Sequence, residues 1–463
     1  MDAASNDTKS VASTCAGCAE RDRRIADLEA RIAKLEALAR GAKRQAAPFS
    51  KGFPKSDPKP PGRKSGEDYG THHRRALPPR IDEVLDAPLP GHCPYCGGSV
   101  SQMEVAQQYQ AEIPRKVIYR QFNVQIGECQ CCQERVQGRH PLQTSDALGA
   151  AASQIGPDAQ ALAVQLNKEA GLSHGKVKRF FKAAFDLELS RSGVCRTMLR
   201  VARRCEPVYQ AIVRRVQQSP SIVPDETGWK IGGLLAWRPC RNYRNIDATA
   251  YLVHRLRGYE AAVELIGADY EGFLIHDGWS PYLHFIYAIH QTCLAHLLRR
   301  CHELEESAIG GAVRFPRQIK VILKDALAAR DQRDAGELTA QAAAEQAKIL
   351  SRQMEELTSR PRTNADNERF AKHLWNQSEC LFTFLQFEGV DATNYQAEQA
   401  IRPATVNRKV WGGNRTDAGA KAQSILMSVL RTTTQRGIDT LNFISATVKA
   451  CFGKLPELVP DTG

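Results

Sequence analysis

Two short apolar runs, each ending in an aspartate, limit what this chain can fold into more than any other feature. Ser221-Ile-Val-Pro-Asp225 leads into Glu-Thr-Gly-Trp, and Gly272-Phe-Leu-Ile-His-Asp277 leads into Gly-Trp. An apolar run of this length, closed by a carboxylate and then a glycine, predicts a buried strand that delivers its Asp to its end or to the turn that follows. Far downstream, Asn394-Tyr-Gln-Ala-Glu398-Gln-Ala-Ile sets a glutamate among helix formers, with Ala397, Ala400 and Ile401 as the face that packs.

Between the two aspartates, Leu234–Cys240 and Ala248–Arg255 predict two further strands and Tyr259–Gly267 a helix. Three strands, a helix and a fourth strand, with acids on the first and fourth, is the order of a ribonuclease H-like fold, in which those two strands are neighbours. Asp225, Asp277 and Glu398 would then form an all-oxygen donor set, which suits a hard divalent cation such as Mg2+ (or Mn2+). Two such ions can activate an attacking hydroxyl and stabilise the leaving oxygen at phosphorus. A plainer reading has both aspartates starting turns, since Asp before Gly is ordinary turn chemistry. On an extended strand Glu226 faces away from the site if Asp225 faces it.

The chain has 463 residues, room for about three domains, and a formal net charge of +12. A polyanion is the large partner such a charge suits. The excess is concentrated: from Lys43 to Arg80 ten Lys/Arg stand against three acidic residues, +7 of the +12. That Pro- and Gly-rich stretch cannot bury a core and reads as a flexible arm able to bind phosphates without reading sequence. No apolar run approaches the roughly 20 residues needed to cross a bilayer and no signal-peptide core opens the chain, which places the protein in the cytoplasm. The 14 cysteines, several alone inside apolar patterns, read as reduced thiols, with metal the better use for the paired ones.

Ahead of the arm, Ile25, Leu28, Ile32 and Leu35 fall at a and d positions of a short coiled-coil zipper. Cys15 and Cys18 form a pair with no second pair close by. Behind the arm, Cys93-x-x-Cys96 and Cys129-x-x-Cys132 enclose 32 residues, in which the alternation of Tyr119, Phe122, Val124 and Ile126 predicts strands. Four thiolates at this spacing predict a structural Zn2+ ribbon, each knuckle turning on a glycine. From Gly156 to Arg204 the pattern is helical, with Ser173 and Ser190 as N-caps and ten basic residues against four acidic ones. This is either a helix-turn-helix or a plain three-helix scaffold. In the first case Lys176, Lys178 and Arg179 lie on its second helix, and Arg191, Arg196 and Arg200 on the helix that reads DNA. Cys293 and His296 read as a packing thiol and a polar group near the acids, and residues 301–390 as an all-helical insertion. After Glu398, Arg402, Arg408, Lys409 and Arg415 surround Trp411-Gly-Gly, a composition apt for gripping phosphates.

Taken in order, the zipper, arm, ribbon, helical segment, Pro224-Asp225-Glu-Thr-Gly-Trp229, His276-Asp277-Gly278, Cys293-Leu-Ala-His296-Leu-Leu-Arg299-Arg300 and Asn394-Tyr-Gln-Ala-Glu398-Gln-Ala-Ile-Arg402-Pro403 resemble the bacterial insertion-sequence family sixty-six transposases over nearly the whole chain. The resemblance implies a DDE transposase with Asp225, Asp277 and Glu398 as its metal triad. It implies two Mg2+ ions, terminal inverted repeats and target DNA as partners, and a bacterial nucleoid location. Many DDE enzymes carry a basic residue two helical turns after the Glu; here that position is Thr405, with Arg402 and Arg408 nearby. The expected fold class is multidomain α+β: disordered start and zipper (1–42), linker (43–85), zinc ribbon (86–145), helix-turn-helix (146–205), catalytic core (206–300 and 391–450) split by the helical insertion (301–390), and a tail (451–463). The zipper adds a homodimer or higher oligomer, and accessory proteins of the same element are possible partners. The competing readings are a decayed or repurposed DNA-binding protein without catalysis, and a nuclease with the same triad that cuts without joining.

Overall fold

In a computed structural model, the described residues are 24–26, 28, 77–88, 90–100, 106–111, 113, 116–148, 155–232, 237–244, 247–255, 258–450 and 455–459. The chain divides into two units, Met1–Glu112 and Ile113–Gly463. In the first, Ile25 and Leu28 are helical and about half exposed. The zipper positions Ile32 and Leu35, Cys15 and Cys18, and most of the basic arm lie outside the described residues. The same unit holds the Cys93 knuckle, closed by Cys93 N–H to Gly98 O and Gly97 N–H to Cys93 O, both at 2.8 Å. Gly97 sits at φ +73°, the left-handed conformation this turn demands.

The second unit opens with a small hairpin, β1 (Ile126–Glu128) and β2 (Arg135–Gln137), wrapped around the Cys129 knuckle. That knuckle repeats the same pair of bonds, Cys129 N–H to Glu134 O and Gln133 N–H to Cys129 O at 2.9 Å, but its left-handed position is Gln133 at φ +60° and not a glycine. Of the expected strands across Tyr119 to Ile126, only the last residue joins one among the described residues: Tyr119 is 80% exposed, and the knuckle gives a pairing partner to the residues beside it, not to those before.

Three helices follow, α1 (Pro157–Lys168), α2 (His174–Phe185) and α3 (Arg191–Gln217). Ser173 and Ser190 cap the last two, accepting from Lys176 N–H and Gly193 N–H. The expected boundary at 205/206 falls inside α3, whose apolar stripe of Val194, Met198, Val201, Cys205, Tyr209, Ile212 and Val216 keeps helical period from end to end and is buried throughout. The chain therefore passes from the helical segment into the sheet on one rigid rod.

The sheet contains β3 (Ser221–Lys230), β4 (Trp237–Arg244), β5 (Thr249–Val253), β6 (Phe273–His276) and β7 (Ile289–Thr292), with α4 (Tyr259–Ile266) between β5 and β6. Its strand order is β5-β4-β3-β6-β7, antiparallel from β5 to β3 and parallel from β3 to β7. After β7 come α5 (Leu294–Ser307), α6 (Arg314–Asp334), α7 (Ala340–Thr358), α8 (Ala365–Asn376) and the short α9 (Thr383–Gln386), then α10 (Tyr395–Trp411), α11 (Asp417–Gln435) and α12 (Thr440–Lys449).

Side chains alternate across a strand, so consecutive residues enter opposite cores. Ile222 and Leu274 join the core built with α1, α3, α4, α11 and α12. Val223 and Ile275 join the core built with α5 to α10. Helices thus cover both faces of the sheet, a mixed α+β architecture. The edge strand β5 is finished by α11: Ser424, Ser428 and Thr432, one helical turn apart, accept the N–H groups of Val253, Tyr251 and Thr249 at 2.8 to 3.1 Å.

Candidate active site

Parallel pairing sets Ser221 opposite Phe273 and Ile222 opposite Leu274. Carried forward residue for residue, that register puts Asp225 level with Asp277 on adjacent chains. Asp225 does not end its strand, as the sequence suggested; β3 runs on to Lys230 against β4, and what ends before Asp225 is the pairing with β6. The place where that pairing stops, the notch, lies past the carboxyl end of β6, a usual place for a site in an open sheet. Alternation gives Asp225 the face of Val223, and gives Glu226 the face of Ile222.

Each aspartate is fixed locally. Asp225 Oδ1 accepts from the Glu226 N–H at 2.9 Å, and Asp277 Oδ1 from the Trp279 N–H at 3.0 Å. Burial first, and then the negative charges of Asp277, Glu398 and Glu226, raise the Asp225 carboxyl to about 7 against the pull of that N–H bond. The turn after Asp277 is braced from behind. Gly278 N–H donates to His276 Nδ1 at 3.0 Å, His276 Nε2 faces His290 Nδ1 at 3.1 Å, and His290 Nε2 faces Phe285 O at 3.0 Å. Only neutral rings protonated on Nε2 satisfy all three contacts, and burial holds His276 down at about 3.

Glu398 stands in the first turn of α10, a favourable end for a carboxylate, and Ala397, Ala400, Ile401 and Ala404 bury the helix beneath it. The start of α5 is tied to the segment leading into α10, through Leu294 N–H to Ala392 O at 2.9 Å and Asn394 N–H to Cys293 Sγ at 3.3 Å. Cys293 is therefore a buried acceptor. The tie brings His296 Nε2 to 3.3 Å and Arg299 Nη2 to 3.7 Å from Glu398 Oε1. Among the described residues, no three His, Cys, Asp or Glu side chains stand close enough together to share one ion.

The other expected contacts divide. Arg191, Arg196 and Arg200 on α3, Lys176 and Arg179 on α2, and Arg402 and Lys409 on α10 are exposed, while Lys178 is half-buried. Lys182 is held by Asp186 and Glu188 at 2.6 and 3.0 Å. Arg408 turns onto β3, donating to Thr227 Oγ1 and Gly228 O at 2.9 and 2.8 Å. Trp411-Gly-Gly packs at the end of β3, with Trp411 edge-on to Trp229 at 5.6 Å and Gly413 against the Lys230 carbonyl. The backbone there is spent on packing, leaving Arg402 and Lys409 as the exposed cations of α10. Arg300 stood in the quoted Cys293–Arg300 motif without a role, and sequence spacing did not reveal Arg369 and His373 of the insertion; all three line a pocket beside Asp277.

A curated relative, an uncharacterized protein of Sinorhizobium fredii, is 22% identical over 292 residues, covering 57% of this chain and 53% of its own. The chain thus spans about half the length of the curated relative it matches. Residues 152–422, from ahead of α1 into α11, match the transposase IS66 family. That match covers more than half of the chain and contains both aspartates, the insertion and the glutamate helix, and the chain belongs to the IS66 family of transposases.

Proposed function

We propose that the protein is a DNA transposase with a ribonuclease H-like core, in which Asp225, Asp277 and Glu398 are the metal-binding triad. The observation that carries this reading is the parallel register of β3 and β6, which carried forward sets Asp225 level with Asp277, with Glu398 near enough to push the Asp225 carboxyl up. The donor chemistry fits a hard cation. The three groups are all carboxylates, and their mutual repulsion is relieved by positive charge between them. Divalent ions bound there would supply an activated attacking oxygen and stabilise the departing one.

The protein's own groups set the geometry. The His276–His290 pair holds the Asp277 turn, while His296 and Arg299 of α5 hold the Glu398 carboxylate. Water attacks a phosphodiester at the element end, and the bond to the 3′ oxygen breaks and leaves a 3′-hydroxyl. That hydroxyl then attacks a phosphodiester of target DNA, displacing a 3′ oxygen there. Arg191, Arg196, Arg200, Lys176, Arg179, Arg402 and Lys409 are proposed contacts to DNA phosphates, with α2 and α3 as a helix-turn-helix.

The two cysteine knuckles are proposed donors of structural zinc. In each, backbone N–H groups aimed at the first thiol, Tyr95 on Cys93 and Cys132 on Cys129, lower its pKa toward the thiolate a metal needs. Zinc content of the purified chain is the check.

Asp225→Asn, Asp277→Asn and Glu398→Gln are each expected to abolish cleavage of DNA carrying the element's own ends in Mg2+, with DNA affinity within about threefold of wild type. A variant that keeps cleavage within about tenfold of wild type removes its residue from the triad.

A further inference from the structure

Beside Asp277 lies a pocket of about 310 Å3 whose walls are two helices. On α5, His296 and Arg300 are four residues apart; on α8, in the insertion, Arg369 and His373 are four apart. Residues at this spacing share one helix face, so each wall presents one guanidinium and one imidazole to the same space. Leu297 and Phe370, 2% and 3% exposed, pack behind them as an apolar floor. Asp277 is the one acidic residue in the lining, at the end that meets the notch.

The insertion wall is keyed to the Asp277 turn. Gly278 sits at φ +87°, and a Cβ there would lie 2.9 and 3.0 Å from His373 Cε1 and Nε2. A glycine is needed both for the backbone and for the imidazole to lie flat on the chain beside Asp277. The two guanidiniums are held only loosely. Arg300 meets Glu303 at 3.3 Å and Arg369 meets Asp366 at 2.5 Å, with side chains 43% and 72% exposed. Exposed ion pairs of this kind are worth under about 1 kcal/mol and yield readily to a stronger anion.

We infer that this pocket binds one nucleotide of the DNA strand next to the scissile phosphodiester, with Arg300 and Arg369 gripping its phosphate from opposite walls. Guanidinium groups match phosphate oxygens in a two-pronged geometry. The volume suits a nucleotide unit better than a lone phosphate, and the pocket's open continuity with Asp277 makes the occupant part of the strand being cut. The inference rests on the transposase reading of the site and adds to it a substrate-binding role for the helical insertion.

The test uses full-length protein and DNA of the element's own ends carrying single methylphosphonate linkages, which are uncharged, at successive positions around the scissile bond. Wild type and Arg300→Gln/Arg369→Gln are compared. Both arginines are exposed enough for the double variant to fold. The variant is expected to cut unmodified DNA at least about tenfold more slowly. One methylphosphonate position should slow wild type by a similar factor and leave the variant unaffected. Equal slowing of both proteins at every position, or a variant within twofold of wild type on unmodified DNA, overturns the inference while leaving the transposase reading intact. If wild type cuts nothing, the transposase reading fails instead. The pocket is then read from the salt dependence of binding to a labelled single-stranded 20-mer, where each lost phosphate contact lowers the slope by about 0.7. A slope equal to wild type overturns the inference there too.

Discussion

Lys168 ends α1 with its side chain buried, donating from Nζ to Gln423 Oε1 at 2.6 Å and lying 5.4 Å from the centre of the Trp411 ring. Neither partner carries a full negative charge, so burial wins and depresses the ammonium from 10.5 to about 7. Between those two values the unfolded chain holds a proton that the folded chain has released. Stability therefore rises with pH across that window, and below about 7 the full cost of the buried charge is present. Lys168→Met is expected to stabilise the fold at neutral pH, by up to a few kcal/mol. The gain over wild type should shrink toward pH 10. Urea midpoints of both proteins at pH 6.5 and 10 check it, and a gain that does not change with pH sinks the account. Nothing near Lys168 in sequence announces this. A lysine in the last turn of a helix is an ordinary surface choice, and its burial is decided by α10 and α11, well over 200 residues away. Ser173 and Ser190 were legible as caps because a cap is a contact three residues long. The packed face under Glu398 was legible for the same local reason. Arg369 and His373 were not, because only the tertiary fold brings α8 beside α5 and the Asp277 turn.

At the scale of elements, the sheet's exposed edge decides the next case. A β5 left open would present its N–H groups at Thr249, Tyr251 and Val253 to whatever came near. The hydroxyls of Ser424, Ser428 and Thr432 repeat every four residues along α11, about 6 Å, and nearly match two residues of strand. One helix therefore satisfies a strand edge without being a strand. Tyr251 is completely buried, its hydroxyl donates to the Ala400 carbonyl of α10, and the Tyr209 hydroxyl of α3 donates to the Tyr251 carbonyl at 3.1 Å. Ser428→Ala removes the hydroxyl that accepts the buried Tyr251 N–H and is expected to cost about 1–3 kcal/mol. Chemical denaturation measures it, and hydrogen exchange at Tyr251 separates a local loss from a global one. A loss below about 0.5 kcal/mol would mean that α11 docks by its apolar face alone. The order of strands was readable from apolar runs and their spacing. The length of β3 was not, because its second half is set by the antiparallel partner β4 and by Asn414, whose Oδ1 accepts from Trp229 Nε1 at 2.9 Å.

Across the whole molecule, charge and chemistry are kept apart along the chain. The stretch from Lys43 to Arg80 holds +7 of the net +12, yet the matched family region starts only at residue 152. The proposed catalytic groups all fall inside that region, so the arm can add affinity without touching the cut. Charge neutralisation by a basic segment releases condensed counterions, and the dependence of binding on salt counts the phosphates engaged. Removing residues 1–85 takes away all ten of those basic side chains. The slope of log affinity for duplex DNA against log salt should then fall by several units, with about nine as the ceiling. Asp277→Asn should leave that slope where it was, because a carboxylate in the notch releases no counterion from DNA. Measuring both variants against wild type from 50 to 200 mM salt separates grip from chemistry. If the truncated chain keeps the wild-type slope, the arm makes no phosphate contacts, and the exposed cations of α2, α3 and α10 must supply all of the electrostatic binding.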